Sequence, residues 1–472
     1  MGWGTAYVAS EWVIRVAALA YLPPRMQPAA ARGWLLLLFL LPWPGLILYL
    51  AIGRRTLPSF RIDAQRRFDA LVRATESRRS AQAMEVDPDI SAPLAAVPRL
   101  ARTVAAFPVL GRNHVELLSD YDKAIEALIA DIDAARAHVH IETYIYATDV
   151  VGQRVTAALR AAVQRGVRCC VLLDQVGTGR RAPEVCRTLR AAGVDAHILQ
   201  SASPFRFLAE RYDLRNHRKI SVIDGRIGYI GSQNVVRADV WKGHPNVEMV
   251  ARMRGPIVHE MQAIFLSDRF AETRVDLQGP DLLPPPEDAG SSPVQLLPSG
   301  PEYTHSPTLD AFVTALYGAR HHVVLVSPYF IPPDPLVEAM TSAASRGVIV
   351  ELIVPRWGNS TPEALAQHSY YEELLEAGVR VWRFWPRFLH AKHATVDDEI
   401  AIVGSSNLDI RSFALNAEAV ALIYDEAVVA ALARVEADYR AQAQELTLEE
   451  WRGRPWFQRF GESIARLMNT LL

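Results

Sequence analysis

Cysteine is scarce: Cys169, Cys170 and Cys186 are the three in 472 residues, and no two stand Cys-x-x-Cys apart. That count excludes a disulfide framework and a zinc-ribbon site, and suits small buried thiols in a reducing compartment. An excess of charge of either sign is missing too, since 50 Lys+Arg against 52 Asp+Glu leave a formal net charge of −2. The bulk attraction that non-specific nucleic-acid binding relies on is therefore absent. Disorder is excluded as well: half of the residues are apolar and 22% are charged, and the length allows two or three domains with a sizeable core.

These averages hide a break in composition at the N-terminus. Trp34 to Gly53 reads WLLLLFLLPWPGLILYLAIG, twenty residues with no charge, the length a helix needs to cross a hydrocarbon core. Trp34, Trp43 and Tyr49 offer interfacial aromatics. Arg54, Arg55, Arg61, Arg66 and Arg67 follow, so the positive-inside bias puts the chain after Gly53 in the cytoplasm. Pro42 and Pro44 would kink the helix, which membrane spans tolerate better than soluble helices do. A signal peptide would have a shorter apolar stretch, a basic start and a small-residue cleavage site, none of which is evident. Ala6 to Leu22 is apolar apart from Glu11 and Arg15, which can pair on one helical face. The expectation is a hairpin of two membrane-spanning helices within residues 1–55, favoured over an interfacial first helix, with a juxtamembrane linker at 56–100.

The rest of the chain repeats itself. HVHIETYIY (His138 to Tyr146), RGVRCCVLLD (Arg165 to Asp174) and AAGVDAHIL (Ala191 to Leu199) are short β-branched runs separated by helical patterns, which predicts β-α-β-α-β with a parallel sheet. HHVVLVSPYF (His321 to Phe330), RGVIVELIVP (Arg346 to Pro355) and VRVWRF (Val379 to Phe384) repeat the pattern. Arg-Gly-Val opens the second strand of both copies, as a helix turning into a strand requires. The copies are placed at 101–278 and 303–440, with a proline-rich linker at 279–302 between them and a tail at 441–472.

Each third strand is followed by the same constellation. The first copy gives His217-x-Lys219, Asp224, Gly231-Ser232-x-Asn234, and the second gives His390-x-Lys392, Asp397, Gly404-Ser405-x-Asn407, at identical spacing. Histidine and lysine two apart on a strand share a face, so each motif offers an imidazole beside an ammonium. Asp224-Gly225 and Asp397-Asp398 read as hairpin turns, so the aspartates fix the turn rather than touch substrate, although they belong to the motif counted as catalytic. The returning strand brings Ser and Asn near the His/Lys pair. Asn246-x-Glu248 and Asn416-x-Glu418 then place a glutamate where it can hydrogen-bond a histidine and fix its tautomer.

Two imidazoles, two ammonium groups and two amides converging across a pseudo-twofold are what displacement at a phosphodiester needs. One histidine attacks phosphorus and the other protonates the departing alkoxide, then deprotonates the incoming nucleophile. Lysines and asparagines offset charge on the non-bridging oxygens. No metal or other cofactor is required. The remaining histidines, His138/His140, His321/His322 and His393, lack a ligand set at metal spacing and read as surface or strand-end residues. In the tail, Trp451, Trp456, Phe457 and Phe460 alternate with Arg452, Arg454, Arg459 and Arg466, a composition that fits either an anionic bilayer or a helix packed on the core. WRFWPRF (Trp382 to Phe388), just before His390, dips toward lipid or lines the cleft.

The duplicated His-x-Lys-(x)4-Asp pattern resembles the phospholipase D superfamily. Within it, DLRNHRKISVIDGRIGYIGSQN, FLHAKHATVDDEIAIVGSSNLDIRSFALNAEAVALIYD and YFIPPDPLVEAMTSAASRGVIVELIVP resemble bacterial cardiolipin synthases, as do the two apolar segments ending YLAIGRR. The resemblance implies an α/β fold of duplicated phospholipase D-like α-β-α sandwich halves forming one catalytic unit, preceded by a transmembrane helical hairpin in the bacterial inner membrane. It implies that two phosphatidylglycerol molecules condense with release of glycerol, the partners being that lipid and the bilayer, without nucleic acid. His217, Lys219, Asp224, His390, Lys392 and Asp397 would form the catalytic set, and Ser232, Asn234, Ser405, Asn407, Glu248 and Glu418 would bind phosphate or support it. Gly231-Ser232 departs from the family's frequent Gly-Gly, and the serine hydroxyl is expected to donate to phosphate. WKGHPNVEM after Trp241 departs from a frequent Arg-Asp-x-His, leaving His244 or Glu248 to take that role. Hydrolysis of phospholipid to phosphatidic acid would use the same residues with water as acceptor.

Overall fold

The computed structural model describes the chain apart from residues 1, 27, 54–82, 200–213, 241–243, 278, 304, 358–360 and 469–472. The arginines after Gly53, Trp241 and much of the expected juxtamembrane linker therefore lie outside the described residues.

Proline decides the shape of the N-terminal segment. Helix α1 (Trp3–Tyr21) turns into α2 (Pro28–Leu40), and α3 (Pro42–Leu48) follows, running into a π turn at Tyr49–Gly53. The single kinked helix expected from Trp34 to Gly53 is thus two separate helices. Pro42 has no N–H to continue the ladder and forces the residue before it out of the helical region, so Leu41 sits at φ −134°, ψ 75°. Arg15, held by Glu11 at 3.3 Å, donates from Nε to the Phe39 carbonyl at 3.1 Å beside the break, and Trp43 Nε1 donates to Ser10 Oγ at 3.2 Å. Ala18, Leu22, Trp34, Leu38 and Tyr49 form a small apolar cluster inside, while Trp3, Trp12, Val13, Leu36 and Leu40 point outward. Among the described residues no helix is long and apolar enough to cross a membrane. That corrects the expected pair of single-helix spans.

The two copies build one sheet. The first contributes β1 (Leu110–Leu118), β2 (His138–Thr143), β3 (Arg168–Asp174), β4 (Asp195–Leu199), β5 (Ile220–Ile223), β6 (Ile227–Gly231) and β7 (Val250–Arg254). The second contributes β8 (Ser292–Ser299), β9 (His322–Val326), β10 (Ile349–Pro355), β11 (Arg380–Phe384), β12 (His393–Val396), β13 (Ile400–Gly404), β14 (Asn416–Ile423) and β15 (Ala443–Leu446). Their order is β4-β3-β2-β5-β6-β7-β1 in one half and β8-β14-β13-β12-β9-β10-β11-β15 in the other. β1 and β8 join the halves antiparallel, with Leu110 opposite Val294.

Within each half the three expected strands are parallel, β2-β3-β4 and β9-β10-β11. The motif hairpins, β5-β6 and β12-β13, lie antiparallel beside them. The paired Arg-Gly-Val glycines, Gly166 and Gly347, both take φ +90° at the helix-to-strand turn, where a side chain would be strained. β8 falls inside the stretch expected as linker and β15 inside the expected tail, because both alternate or bury enough apolar residues to pair at the seam and at the outer edge. One apolar cluster draws on both halves, setting Ile220, Ile230, Met249 and Met253 against Val324, Ile353, Val403 and Ala421. With that core at the seam, the repeats form a single unit.

Candidate active site

Each motif aspartate is consumed by the fold. Asp224 and Asp397 sit at the hairpin turns with φ +52° and +49°, followed by Gly225 at +63° and Asp398 at +59°. The Asp224 carboxylate accepts from the backbone N–H groups of Arg136, Ala137 and His138 at 2.8, 2.7 and 2.9 Å. Asp397 accepts likewise from Arg320, His321 and His322 at 2.6, 2.8 and 2.8 Å. These carboxylates tie the turn to the start of the parallel strand at the end of the hairpin remote from the histidine. Their grouping with the catalytic side chains is corrected accordingly.

The histidines are placed by strand exchange. Arg215–Asn216 pairs in parallel with Asn416–Ala417 of the other half, and Phe388–Leu389 pairs with Asn246–Val247. His217 N donates to the Ala417 carbonyl and His390 N to that of Val247, both at 2.8 Å. The Asn-x-Glu strand of each copy is thereby laid beside the His-x-Lys segment of its neighbour, and the glutamates cross over. His217 Nδ1 lies 2.9 and 3.0 Å from the Glu418 oxygens, and His390 Nδ1 lies 2.8 and 2.9 Å from those of Glu248. A carboxylate on Nδ1 fixes the proton there and leaves the Nε2 lone pair for chemistry. A glutamate at each histidine matches the spacing of the Asn-x-Glu segments. The structure adds that donor and acceptor come from opposite copies. Of the two residues expected after Trp241, Glu248 touches His390, while His244 stacks on Trp357 with ring centres 5.9 Å apart.

The lysines anchor on the backbone. Lys219 Nζ donates to the His217 carbonyl at 2.7 Å and Lys392 Nζ to that of His390 at 2.8 Å. That geometry leaves the remaining ammonium protons for an anion in the cleft; Lys392 Nζ stands 3.2 Å from His390 Nε2. Burial dominates the electrostatics. It holds the His217 imidazole down at about 4, against the upward pull of Glu418, and it lowers His390 against Glu248. Each imidazole is also lowered by the lysine of the other half, so the two motifs share one field. Burial brings Lys392 to about 8 and takes Lys219 well below its ordinary value. Burial pushes the two glutamates up, but the facing histidines and lysines outweigh it and keep both carboxylates ionised. The resting site therefore holds neutral imidazoles on ionised carboxylates.

The serines do not face the cleft. Ser405 Oγ donates to Glu418 Oε2 at 2.5 Å and accepts from Ala419 N at 3.1 Å, and Ser232 Oγ accepts from Met249 N at 2.9 Å. Both are fully buried and brace the glutamate strands, which corrects the expectation that the Ser232 hydroxyl donates to phosphate. Asn234 Oδ1 accepts from Ile145 N at 3.1 Å, whereas the buried Asn407 Oδ1 has no hydrogen-bond partner among the described residues.

Sequence reading missed a buried ion network under the first motif. Arg218, between His217 and Lys219 and 2% exposed, bonds Asp268, Glu302 (2.8 Å) and the Glu418 carbonyl (3.0 Å). Asn216 links the same Asp268 to Glu142, whose carboxyl is driven up by burial and then by Asp268. The signal was an arginine between the motif histidine and lysine, where the second copy has Ala391. Tyr144 is a second omission: its ring meets His217 edge-on at 4.7 Å and carries Lys219 Nζ at 5.3 Å.

Other histidines differ from expectation. His138 and His140 are buried inside the sheet with ring centres 4.5 Å apart, His140 stacking on Phe265, and His393 is buried against Glu436 at 3.2 Å. His138 and His393 open their strands, one of the two places expected, but all three residues are buried, which corrects the surface alternative. Cys170, Asp195 and His197 bring three ligand atoms together among the described residues, but Asp195 is already bonded to His197 at 2.7 Å and Arg269 at 2.9 Å. A guanidinium in that position opposes a bound cation.

A duplicated α/β sheet that exchanges His–Glu pairs across its seam and lines the site with two lysines defines a phosphodiester-transfer enzyme. The family model described as "Cardiolipin synthase, PLD-like domain" matches residues 128–269 and 312–438. The chain is 33% identical to cardiolipin synthase A of Pectobacterium atrosepticum, covering 98% of each chain. It is 33% identical to that of Serratia proteamaculans over 99% of this chain and 100% of the relative. Among solved structures, phosphatidylserine synthase from Haemophilus influenzae superposes with a TM-score of 0.60 at 15% identity, covering 79% of this chain and 98% of that one, a likeness of fold. The chain belongs to the cardiolipin synthase family of the phospholipase D superfamily, and it is a phosphatidyltransferase.

Proposed function

We propose that the protein joins two phosphatidylglycerol molecules into cardiolipin and releases glycerol, using His217, Lys219, His390 and Lys392 as its reacting groups. The observation that carries this reading is the crossed pair His217–Glu418 and His390–Glu248, which holds both imidazoles by Nδ1 and turns each Nε2 away from its carboxylate. One Nε2 forms a bond to phosphorus as the P–O bond to the donor's free glycerol breaks; the opposite imidazole, neutral at rest, takes a proton on Nε2 from water as the anionic phosphodiester enters the cleft and gives that proton to the leaving oxygen. The imidazole so generated takes the proton from a glycerol hydroxyl of the second lipid, whose oxygen displaces the phosphohistidine. One phosphodiester is consumed and one formed, so no nucleotide enters. Lys219 and Lys392 offset the charge on the non-bridging oxygens.

The substrate lives in a bilayer, and we place the protein at the bacterial inner membrane with its catalytic body on the cytoplasmic side. The outward-facing Trp3, Trp12, Leu36 and Leu40 of α1 and α2 support insertion of the three short helices as one apolar bundle. The Arg15–Glu11 pair, turned to the Phe39 carbonyl, lets a charged pair enter with its partners supplied.

Purified protein given phosphatidylglycerol should produce cardiolipin and glycerol in equal amounts, read by lipid separation and a glycerol assay. Phosphatidic acid without cardiolipin would overturn the synthase assignment in favour of hydrolysis. His217→Ala and His390→Ala should each abolish product, and activity retained in either would break the shared-cleft reading.

A further inference from the structure

The C-terminal helix Trp456–Met468 is mounted the opposite way round from a helix packed on a core. Its charged side is the docked side. Arg459 bonds Glu372 at 3.0 Å, Arg466 bonds Glu373 at 3.0 Å and lies over the Tyr370 ring at 4.4 Å, and Arg454 pairs with Glu462 on the helix's own inner face. Arg452, the last residue of the preceding helix Leu448–Arg452, reaches Glu372 at 3.3 Å. The apolar side faces out: Trp456 is 75% exposed, Phe460 59% and Leu467 70%, with Phe457 and Ile464 between them. These positions recur at helical spacing and make one stripe. Burying such a stripe inward is what water rewards, so outward mounting on ion pairs marks a surface that meets an apolar phase.

Two further exposed tryptophans lie at the rim of the cleft. Trp385 precedes the Phe388–Leu389 strand that leads to His390, and Trp357, stacked with His244, donates from Nε1 to the Trp385 carbonyl at 3.3 Å. Cations fill the ground between rim and helix. Arg356 lies 5.4 Å over the Trp357 ring, Arg383 is within electrostatic reach of both Arg356 and Arg454, and the buried Arg383 Nε has no hydrogen-bond partner among the described residues. Glu462 already pairs Arg454 and Glu450 also reaches Arg383, so Arg356 and Arg383, bordered by tryptophan and phenylalanine, are the arginines set to meet anionic headgroups over acyl chains.

We propose that the C-terminal helix, Arg356 and Arg383, and the Trp357/Trp385 rim form one bilayer-contacting surface that sets the mouth of the cleft on an anionic membrane. It acts in addition to the N-terminal helices, and it explains how a lipid can reach a buried imidazole without leaving the interface.

The test uses the full chain reconstituted in vesicles of phosphatidylglycerol and phosphatidylethanolamine, and its binding arm needs no turnover, so it stands apart from the assignment of the reaction. The native thiols are buried, so a fluorophore can be placed at Phe460→Cys, with Glu184→Cys as control. Lipids brominated near the interface should quench the label at 460 and leave that at 184 unaffected. Trp456→Ser/Phe457→Ser/Phe460→Ser should raise the surface concentration of lipid needed for half-maximal rate about tenfold, with turnover of short-chain soluble phosphatidylglycerol unchanged. A label at 460 that stays unquenched would overturn the proposal. So would a triple variant that turns a dimer into a monomer, making a second copy the occupant, or one that loses turnover of soluble lipid equally.

Discussion

Replacing Glu418 by glutamine alters the site by one charge and almost nothing else. The carboxylate touches His217 Nδ1 at 2.9 and 3.0 Å and receives Ser405 Oγ at 2.5 Å; a glutamine can keep one oxygen on the Nδ1 proton and turn its amide to the serine. The neutral imidazole of the resting enzyme survives the change. What is lost is compensation for the imidazolium that forms during transfer. Opposite charges about 4 Å apart attract by about 4 kcal/mol at an effective dielectric of about 20. The amide returns about 1 kcal/mol of that as an ordinary hydrogen bond. The net loss, about 3 kcal/mol, corresponds to a fall in kcat of roughly a hundredfold to a thousandfold. Initial rates of cardiolipin formation in mixed micelles, with thermal unfolding to certify the fold, measure it, and Glu248→Gln should fall by a similar factor. A fall of less than about fivefold in a folded variant would refute the reasoning, since a deletion of that charge should cost well over a single factor of ten. A raised KM with kcat intact would instead assign Glu418 to holding lipid.

Three further outcomes follow from the geometry. Asp224→Ala strands three backbone N–H groups and should destabilise the fold by about 3 kcal/mol while rate per folded molecule stays within about threefold, read by denaturant titration beside the turnover assay. Arg218→Met leaves Asp268 and Glu302 buried without their cation, at about 3–5 kcal/mol, so the variant should unfold far earlier in denaturant than Ala391→Met, its counterpart in the second copy. Lys392, brought to about 8 by burial, sheds its proton as pH rises through that value. Activity at limiting lipid should therefore decline between pH 7 and pH 9 and Lys392→Arg, which keeps its charge, should flatten that limb.

What the sequence disclosed was whatever repeats or alternates. Two His-x-Lys segments at equal spacing gave the duplicated motif, Asp224-Gly225 and Asp397-Asp398 gave the turns, and β-branched runs between helical stretches gave the parallel strands. What it concealed depends on which strand lies beside which. Nothing local tells that Asn416–Ala417 pairs with Arg215–Asn216 of the other half, so the crossing of the glutamates was invisible even though Glu248 and Glu418 were singled out. The place of Ser232 was hidden for the same reason, because its partner, Met249, becomes its neighbour only after pairing. The uncharged stretch from Trp34 to Gly53 failed differently. Composition promised a span, and the missing N–H of a single proline, Pro42, decided otherwise. The tail was legible in content but not in orientation, since its arginines had no visible partners until Glu372 and Glu373 came into place.

The crossing of the glutamates has a consequence for inheritance. After a duplication, one copy is ordinarily free to decay while the other keeps the function. Here each copy houses the carboxylate that orients its sibling's imidazole, so an inactivating change in either strand 246–248 or strand 416–418 silences the opposite histidine. Neither half can become a bystander. The molecule behaves as a closed pair of mutual hostages, and a lineage that retains the reaction must retain both copies at full chemical strength.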